Sequence, residues 1–230
     1  MSLCIIPARG GSKRIPRKNI RSFFGDPMIA WPIRAAIKSG CFDRIVVSTD
    51  DDEIARIAED YGAEAPFRRV ADLSDDHTPT VPVIADAVAR LGAEPHTPIC
   101  CLYATSPFVS PDDLRSGLNL LEASAAPYVI SVTSYDFPIQ RALRRDAMGR
   151  VEMFYPAEMQ TRSQDLEEAW HDAGQFYWGL AETWASQRGV FEPGARGLPL
   201  PRYRVQDIDT EDDWLRAEAM ARILPESSRA

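Results

Sequence analysis

The chain has 230 residues, 45% of them hydrophobic and 26% charged, a balance typical of globular proteins that favours a single domain spanning residues 1–230. The formal net charge of −8 argues against a general nucleic-acid-binding protein, because such proteins carry strongly basic surfaces. The sequence shows no signal peptide, no apolar run near the ~20 residues of a membrane helix, and no zinc or disulfide spacing among its four cysteines, so we expect a cytoplasmic protein that binds neither membranes nor nucleic acid.

Predicted strands and helices alternate over the first 134 residues. Short continuous apolar runs predict buried strands at residues 3–6, 44–48, 99–103 and 128–133. Apolar residues at helical spacing predict helices at residues 28–39, 50–61, 81–91 and 111–123. Asp50 and Glu53 have the spacing of a capping box at the start of the second helix. The alternation predicts an α/β fold, with a Rossmann-like, mostly parallel sheet that binds ligands at the carboxyl ends of its strands and has flanking helices.

The pattern changes after about residue 134. Residues 141–154 predict one or two short strands with a turn at Met148 and Gly149, and residues 158–170 are polar and irregular. We interpret residues from about 135 to 172 as an arm inserted in the same domain, able to pack on a partner. The remaining predictions are strands at 174–180 and 203–208, a helix at 210–224 and a frayed tail at 225–230.

A basic loop directly follows the first predicted strand. Six cations fall within thirteen residues of an acidic chain: Arg9, Lys13, Arg14, Arg17, Lys18 and Arg21. Gly10 and Gly11 allow φ > 0 and a close backbone approach, so that successive N–H groups can form an anion-binding nest. Arginine and lysine add phosphate contacts, and the loop therefore predicts a polyphosphate site. Walker A and Gly-x-Gly-x-x-Gly patterns are both absent, and the alternative is a solvated basic loop or an arm for nucleic acid.

Two aspartates end the strand predicted at 203–208. Asp207 and Asp209 stand at i and i+2, which places them on one side of a strand, and paired carboxylates suit Mg²⁺ that is shared with substrate phosphates. Asp209 as a helix cap is the alternative. Thr210 with Asp213 three residues later supplies a cap of its own, however, and leaves both aspartates available. For Asp50, by contrast, the capping role is sufficient.

Polar residues further along the chain predict the acceptor side of the site. Arg162 is suited to a carboxylate, and His171 to a substrate contact or to the role of general base, for which Asp207 is the other candidate. Thr105 and Ser106 follow a predicted core strand. A polar surface arm and an ordinary strand are the alternatives for these residues.

These motifs together resemble the acylneuraminate cytidylyltransferase family over nearly the whole chain. The resemblance is carried by residues 6–13 with Pro16, Lys18 and Asn19, and by residues 47–50, 105–107 and 207–210. Within the family, residues 161–166 and 171–178 are most similar to members that act on pseudaminic acid. Sialic acid members usually have Arg-Pro-Asn-Gly where this chain has His-Asp-Ala-Gly at 171–174, which disfavours N-acetylneuraminate.

The resemblance implies a fold of the nucleotide-diphospho-sugar transferase type and a Mg²⁺-dependent transfer of CMP from CTP to the anomeric hydroxyl of pseudaminic acid, with release of pyrophosphate. It also implies a homodimer, in which the arm reaches the neighbouring active site. The alternatives are transfer to N-acetylneuraminic, legionaminic or 3-deoxy-manno-octulosonic acid, and a non-catalytic protein that binds RNA or a nucleotide.

The family motifs also imply roles for individual residues. The residues implied for CTP binding are Ala8, Arg9, Gly10, Gly11, Ser12, Lys13, Lys18, Asn19, Arg69 and Thr80. Those implied for catalysis are Arg9, Lys13, Lys18, Asp207 and Asp209, of which the two aspartates would hold Mg²⁺. Those implied for sugar binding are Thr105, Ser106, Arg162, His171, Gln175 and Tyr177.

Overall fold

A computed structural model of the chain describes residues 1–75 and 78–224. Its strands, in chain order, are β1 (Leu3–Pro7), β2 (Ser22–Phe23), β3 (Asp26–Pro27), β4 (Arg44–Ser48), β5 (Pro98–Leu102), β6 (Tyr128–Ser134), β7 (Leu143–Arg145), β8 (Val151–Met153), β9 (Trp170–Leu180) and β10 (Arg196–Pro199). Its α-helices are α1 (Ala30–Ser39), α2 (Asp52–Asp60), α3 (Thr80–Leu91), α4 (Pro111–Glu122), α5 (Ala181–Ala185) and α6 (Glu211–Ile223). Within the described residues, no helix is long and apolar enough to cross a membrane.

Six strands form one mixed sheet in the order β10-β6-β9-β5-β1-β4. The strand β9 runs antiparallel to both of its neighbours, and the other adjacent pairs are parallel. This confirms the predicted α/β class with a mostly parallel sheet. The carboxyl ends of β1, β4 and β5 meet at one edge, where the chain continues into the basic loop, the start of α2 and the segment that begins at Tyr103.

Helices cover both faces of the sheet, which explains the uninterrupted apolar runs of its central strands. Along β1, Cys4 and Ile6 pack into one core cluster with residues of α1 and α4, whereas Leu3 and Ile5 pack into a second cluster with α3 and α5. All four side chains are fully buried. The two layers of helices bury β1 on both faces, and β1 is the strand that leads into the basic loop.

Two predictions about local structure were wrong. Asp51, not Asp50, caps α2, and its side chain accepts hydrogen bonds from the N–H groups of Glu53 and Ile54. The strand predicted at 203–208 is instead the short 3₁₀ helix Arg202–Arg204 followed by irregular backbone, which is held by contacts with other segments such as Arg204 with Asp113 and the Ile208 carbonyl with Lys18. The predicted capping box of Thr210 and Asp213 is confirmed.

Other differences are smaller. The strand β10 and the helix α5 were not predicted, and β10 contains a glycine and a proline that weaken the strand pattern. The strand β9 begins four residues before the predicted strand at 174–180. The tail predicted at 225–230 lies outside the described residues.

The predicted arm contains a two-stranded hairpin, with β7 antiparallel to β8 and Gly149 at φ +84° in the turn. Residues 155–169 are irregular apart from short 3₁₀ helices at Pro156–Glu158 and Ser163–Asp165. Large apolar side chains are exposed along this arm: Phe137, Leu143, Met148, Val151, Phe154, Met159 and Trp170.

Candidate active site

A cleft of about 600 Å³ opens at the carboxyl ends of β1 and β5. Nine of the residues predicted to bind or react with substrates line it: Arg9, Ser12, Lys13, Lys18, Asn19, Arg69, Thr80, Thr105 and Asp209. Arg14, Leu73, Asp75, Thr78, Val83 and Tyr103 also line it, together with Pro7 and Ala104. The basic loop, the ends of the central strands and the irregular segment before α6 thus meet at one opening.

The first turn of the basic loop is fixed to the end of β4. The N–H of Ala8 donates to the Ser48 carbonyl at 3.0 Å, and the N–H of Gly10 donates to Oδ1 of Asp50 at 2.9 Å. A Cβ on Gly10 would lie 2.7 Å from a carboxylate oxygen of Asp51 and 3.0 Å from its Cβ, so any other residue would displace the Asp51 side chain. Neither Gly10 nor Gly11 adopts the positive φ that glycine allows. Gly10 is needed here for space.

Arg17 is the residue of this loop that adopts the left-handed conformation, with φ 56°. Its guanidinium donates to both oxygens of Asp51 and to Glu53. This pairing lowers the pKa of the Asp51 carboxyl and raises that of Arg17, because each group favours the charged form of the other. The loop is therefore tied to the N-terminus of α2.

Asn19 closes the loop on itself. Its side-chain amide donates to the carbonyl of Arg9 at 2.9 Å, and it is buried although it lines the cleft. Ala8, which the resemblance assigned to CTP binding, is also buried. Its side chain does not line the cleft, and any contact from this residue would be made by its backbone.

Arg69 and Thr80 line the cleft beside the basic loop. The side chain of Arg69 is buried, and burial lowers its pKa although Asp50 lies 3.9 Å away. Thr80 Oγ1 is hydrogen bonded to the hydroxyl of Tyr103 at 2.8 Å. Asp50, which sequence reasoning left as a helix cap, therefore binds Gly10 and sits next to a buried cation of the cleft.

Asp209 is an acidic residue of the cleft, as is Asp75. The Oδ1 of Asp209 lies 3.0 Å from Nη2 of Arg14 and 3.2 Å from Nζ of Lys18. The same Lys18 Nζ donates to the Ile208 carbonyl at 2.5 Å. The irregular segment that bears Asp209 is thus fixed to the basic loop, although the two are about 190 residues apart in sequence.

Asp207 stands two residues before Asp209; it is exposed, and its side chain does not line the cleft. Its pKa is raised, first by desolvation and then by the charge of Asp209, while Lys18 acts in the opposite direction. Gly174 is next to Asp207, since a Cβ there would be in ordinary van der Waals contact with the Asp207 carboxyl carbon at 3.9 Å. Gly174 has φ +62° beside an irregularity in the β6–β9 pairing, where the register shifts between Ile130 and Val132.

This carboxylate pair fits a divalent cation that arrives with phosphate ligands. Two hard oxygen donors, one of them poorly compensated by nearby positive charge, match the preference of Mg²⁺ for carboxylates plus substrate phosphates. Within residues 1–75 and 78–224, no group of three or more His, Cys, Asp and Glu side chains is arranged to hold a metal. The remaining ligands would therefore have to be substrate oxygens and water.

The predicted acceptor residues do not all meet at the cleft. Thr105 lines it, but Ser106 is buried and donates to the Gln175 carbonyl at 3.3 Å. Gln175 is also buried and donates to the Arg204 carbonyl at 2.6 Å. Tyr177 is buried behind Tyr103, with the two rings edge to face at 5.5 Å. These side chains support the wall of the cleft without lining it.

His171 and Arg162 lie elsewhere. His171 lines a separate cavity of about 270 Å³ with Tyr135, Phe137 and Arg202. Arg162 is exposed on the arm and pairs with Asp165 at 2.7 Å. Neither side chain lines the cleft of this single chain.

Tyr103 and Arg14 are cleft residues that sequence reasoning did not assign to the site. Tyr103 directly follows β5, two residues before Thr105, and its position at a strand end was the available signal. Arg14 was counted among the loop cations, but its contact with Asp209 joins segments 195 residues apart and has no sequence signal.

Comparisons with known proteins agree with this geometry. The family model described as cytidylyltransferase matches residues 3–175. A pseudaminic acid cytidylyltransferase of Campylobacter jejuni subsp. jejuni serotype O:2 is 42% identical over 229 residues, covering 99% of this chain and 99% of that protein. A CMP-N,N'-diacetyllegionaminic acid synthase of Legionella pneumophila subsp. pneumophila is 29% identical over 231 residues, covering 98% of each.

A solved structure of CMP:2-keto-3-deoxy-manno-octonic acid synthetase complexed with CTP has the same fold. It matches with a TM-score of 0.72 and 17% sequence identity over 97% of this chain and 100% of that one. The family match covers three quarters of the sequence and includes the basic loop and the end of β5. The chain therefore belongs to the cytidylyltransferase family and is a nucleotidyltransferase.

Proposed function

We propose that this enzyme transfers CMP from CTP to the anomeric hydroxyl of pseudaminic acid, giving CMP-pseudaminic acid and pyrophosphate. The proposal is supported by the 42% identity, over almost the full length of both chains, to a pseudaminic acid cytidylyltransferase. The family model already supports the nucleotidyl transfer itself.

One observation carries the proposal. Cations of the basic loop (Arg9, Lys13 and Lys18) line the same cleft as Asp209. A triphosphate has several negative charges, and a cleft that combines these cations with an adjacent carboxylate matches a polyphosphate with its metal ion. Asn19, Arg69 and Thr80 lie at the same opening and would contact the nucleoside.

The chain's contribution to catalysis is mainly positioning and charge. The sugar hydroxyl attacks the α-phosphorus in line and pyrophosphate leaves, and fixed cations stabilise the charge that develops on the leaving oxygens. Lys18 is well placed for this role because two hydrogen bonds hold its ammonium group at the cleft. Preorganised charge of this kind needs little rearrangement during the reaction.

Asp207 and Asp209 are the residues that would hold Mg²⁺. When bound, the ion would neutralise phosphate charge and orient the triphosphate. Of the two candidate bases, Asp207 is the one that lies beside Asp209, a residue of the cleft. His171 lines the separate cavity instead.

Legionaminic acid is the main alternative acceptor. The chain shares 29% identity with a synthase whose name specifies CMP-N,N'-diacetyllegionaminic acid, compared with 42% for the pseudaminic acid relative. N-acetylneuraminic acid is the third candidate.

A pyrophosphate-release assay tests the function. CTP, UTP and ATP are each combined with pseudaminic, legionaminic and N-acetylneuraminic acid, with Mg²⁺ or with EDTA. The proposal predicts release with CTP, pseudaminic acid and Mg²⁺, at a kcat/KM well above that of every other combination. Release with UTP or ATP but not CTP would reject the nucleotide assignment, and a preference for another acid would reject the acceptor assignment.

We further propose that the enzyme works as a cytoplasmic homodimer. An isolated two-stranded hairpin is marginally stable in water. In the β7–β8 hairpin, Leu143, Val151 and Met153 share one face, and the first two are more than half exposed. A second copy that covers this face would shield the apolar surface, and it would bring Arg162 of the arm near a neighbouring cleft.

RNA binding by the basic loop is disfavoured by the net charge of −8.

A further inference from the structure

Arg14 contacts the same carboxylate oxygen as Lys18. Its Nη2 lies 3.0 Å from Oδ1 of Asp209, and Lys18 Nζ lies 3.2 Å from that oxygen. Both cations line the cleft. Two positive groups therefore compensate the charge on Asp209 Oδ1.

The two cations differ in how firmly they are held. The Lys18 side chain is 17% exposed and also donates to the Ile208 carbonyl at 2.5 Å, so its position is fixed by the fold. The Arg14 side chain is 65% exposed. Ion pairs made by exposed arginines contribute little free energy, so the guanidinium can leave Asp209 at small cost. Arg14 is the exchangeable member of the pair.

We propose that Arg14 is an exchanging cation: it holds Asp209 in the nucleotide-free enzyme and moves to the pyrophosphate portion of the substrate when a divalent ion occupies Asp209. The proposal rests on the proposed function, because it takes the divalent ion and the triphosphate from it. Arg14 follows Ser12 and Lys13 on the loop and lines the cleft with them, so that polyphosphate bound there lies within reach of its long side chain.

The exchange predicts that Arg14→Gln raises the affinity for a divalent ion and lowers the affinity for pyrophosphate. A divalent ion alone should bind the variant about two- to fivefold more tightly, because a competing positive group of the strength of an exposed ion pair is gone. Pyrophosphate should bind roughly tenfold more weakly, because a hydrogen bond between charged groups is lost. If Arg14 only supported the structure of the loop, Arg14→Gln would weaken the binding of both the divalent ion and pyrophosphate.

The test uses Mn²⁺ and pyrophosphate as probes. Mn²⁺ suits carboxylate ligands as Mg²⁺ does, and electron paramagnetic resonance reports its binding to the nucleotide-free protein. Isothermal titration calorimetry in Mg²⁺ reports pyrophosphate binding. The matched control is Arg56→Gln, since Arg56 is likewise 65% exposed and pairs with Asp60 at 2.9 Å on α2, and it should change neither affinity. Arg14→Lys should restore most of the pyrophosphate affinity because it keeps the charge.

Tighter Mn²⁺ binding together with weaker pyrophosphate binding, in a variant that melts at the wild-type temperature, supports the exchange. Unchanged or weaker Mn²⁺ binding by Arg14→Gln, or unchanged pyrophosphate binding, overturns it. Failure of the proposed function gives a different result. The Asp209→Asn variant would then bind Mn²⁺ as tightly as the wild type does, or the wild type would release no pyrophosphate from CTP.

Discussion

Lys18 joins the two distant segments that form the charged end of the cleft. Its ammonium group binds the Ile208 carbonyl and Asp209 Oδ1 while its own backbone belongs to the basic loop. The sequence indicated Lys18 through the cluster of cations after β1. The contact with Asp209 spans 191 residues and depends on the fold, so sequence spacing carried no information about it.

Lys18→Ala should lower kcat/KM for CTP by ~10²-fold or more, the range expected for the loss of one preorganised charge contact. Steady-state pyrophosphate release measures this effect. Lys38→Ala is the control, because Lys38 is exposed in the last turn of α1 and does not line the cleft. Equal kcat/KM in the Lys18 variant and the wild type would remove Lys18 from the active site.

Which residue types form the site was easier to predict than which side chains face the cleft. Arg9, Lys13, Asn19 and Asp209 were all assigned from short motifs, and all line the cleft. Gln175 was assigned to the sugar, yet its side chain is buried against the segment that leads to Asp207. A polar residue in a strand looks the same in sequence whether it faces a ligand or supports the wall behind it, so burial had to come from the fold.

At the scale of elements, the site depends on how the basic loop is attached to α2. Asp51 caps the helix through two backbone N–H groups and also pairs with Arg17 of the loop. Consecutive acidic residues at 50–53 made the choice of cap ambiguous in the sequence. In the structure, Asp50 accepts a hydrogen bond from the N–H of Gly10, whereas Asp51 caps the helix.

Asp51→Asn should reduce the free energy of unfolding at pH 7 by about 1 kcal/mol, a value kept small because Arg17 is partly exposed. Asparagine still caps the helix but loses the ion pair. Because the folded-state pKa of Asp51 is lowered, its charge stabilises the protein above the unfolded pKa of about 3.9, and the benefit is lost as pH falls through the folded pKa. The difference between wild type and variant should therefore narrow below pH ~4.

Urea unfolding at pH 7 and at successively lower pH measures this difference. Asp52→Asn is the control, since Asp52 pairs with Arg68 while its side chain is 91% exposed, and its effect should be near zero. A penalty for Asp51→Asn that stayed constant from pH 7 down to pH ~3 would show that the Arg17 ion pair does not stabilise the fold.

At the scale of the whole molecule, the sheet and its flanking helices were predictable and the connections at its margin were not. Apolar runs and helical periodicity identified β1, β4, β5 and β6 because strands buried on both faces leave a continuous hydrophobic signal. The segment from β10 to α6 lacks that signal. Its conformation depends on long-range contacts, such as the partly buried ion pair of Arg204 with Asp113 at 2.6 Å.

The arm is the other feature defined at this scale. If its hairpin packs against a second copy, Val151→Asp should convert the dimer to a monomer, because burying an unpaired carboxylate in an apolar interface is unfavourable. Light scattering after size-exclusion chromatography measures the mass. Glu152→Ala on the opposite face of the hairpin should leave the dimer intact. A dimeric Val151→Asp variant, or a monomeric wild type, would refute the proposed interface.

The most direct measurement of the central claim is a crystal structure of the enzyme with CTP and Mg²⁺. We expect the triphosphate to lie along the basic loop, within contact distance of Arg9, Lys13 and Lys18, with the metal between its oxygens and Asp209. Nucleotide phosphates bound away from both the basic loop and Asp209 would contradict this claim.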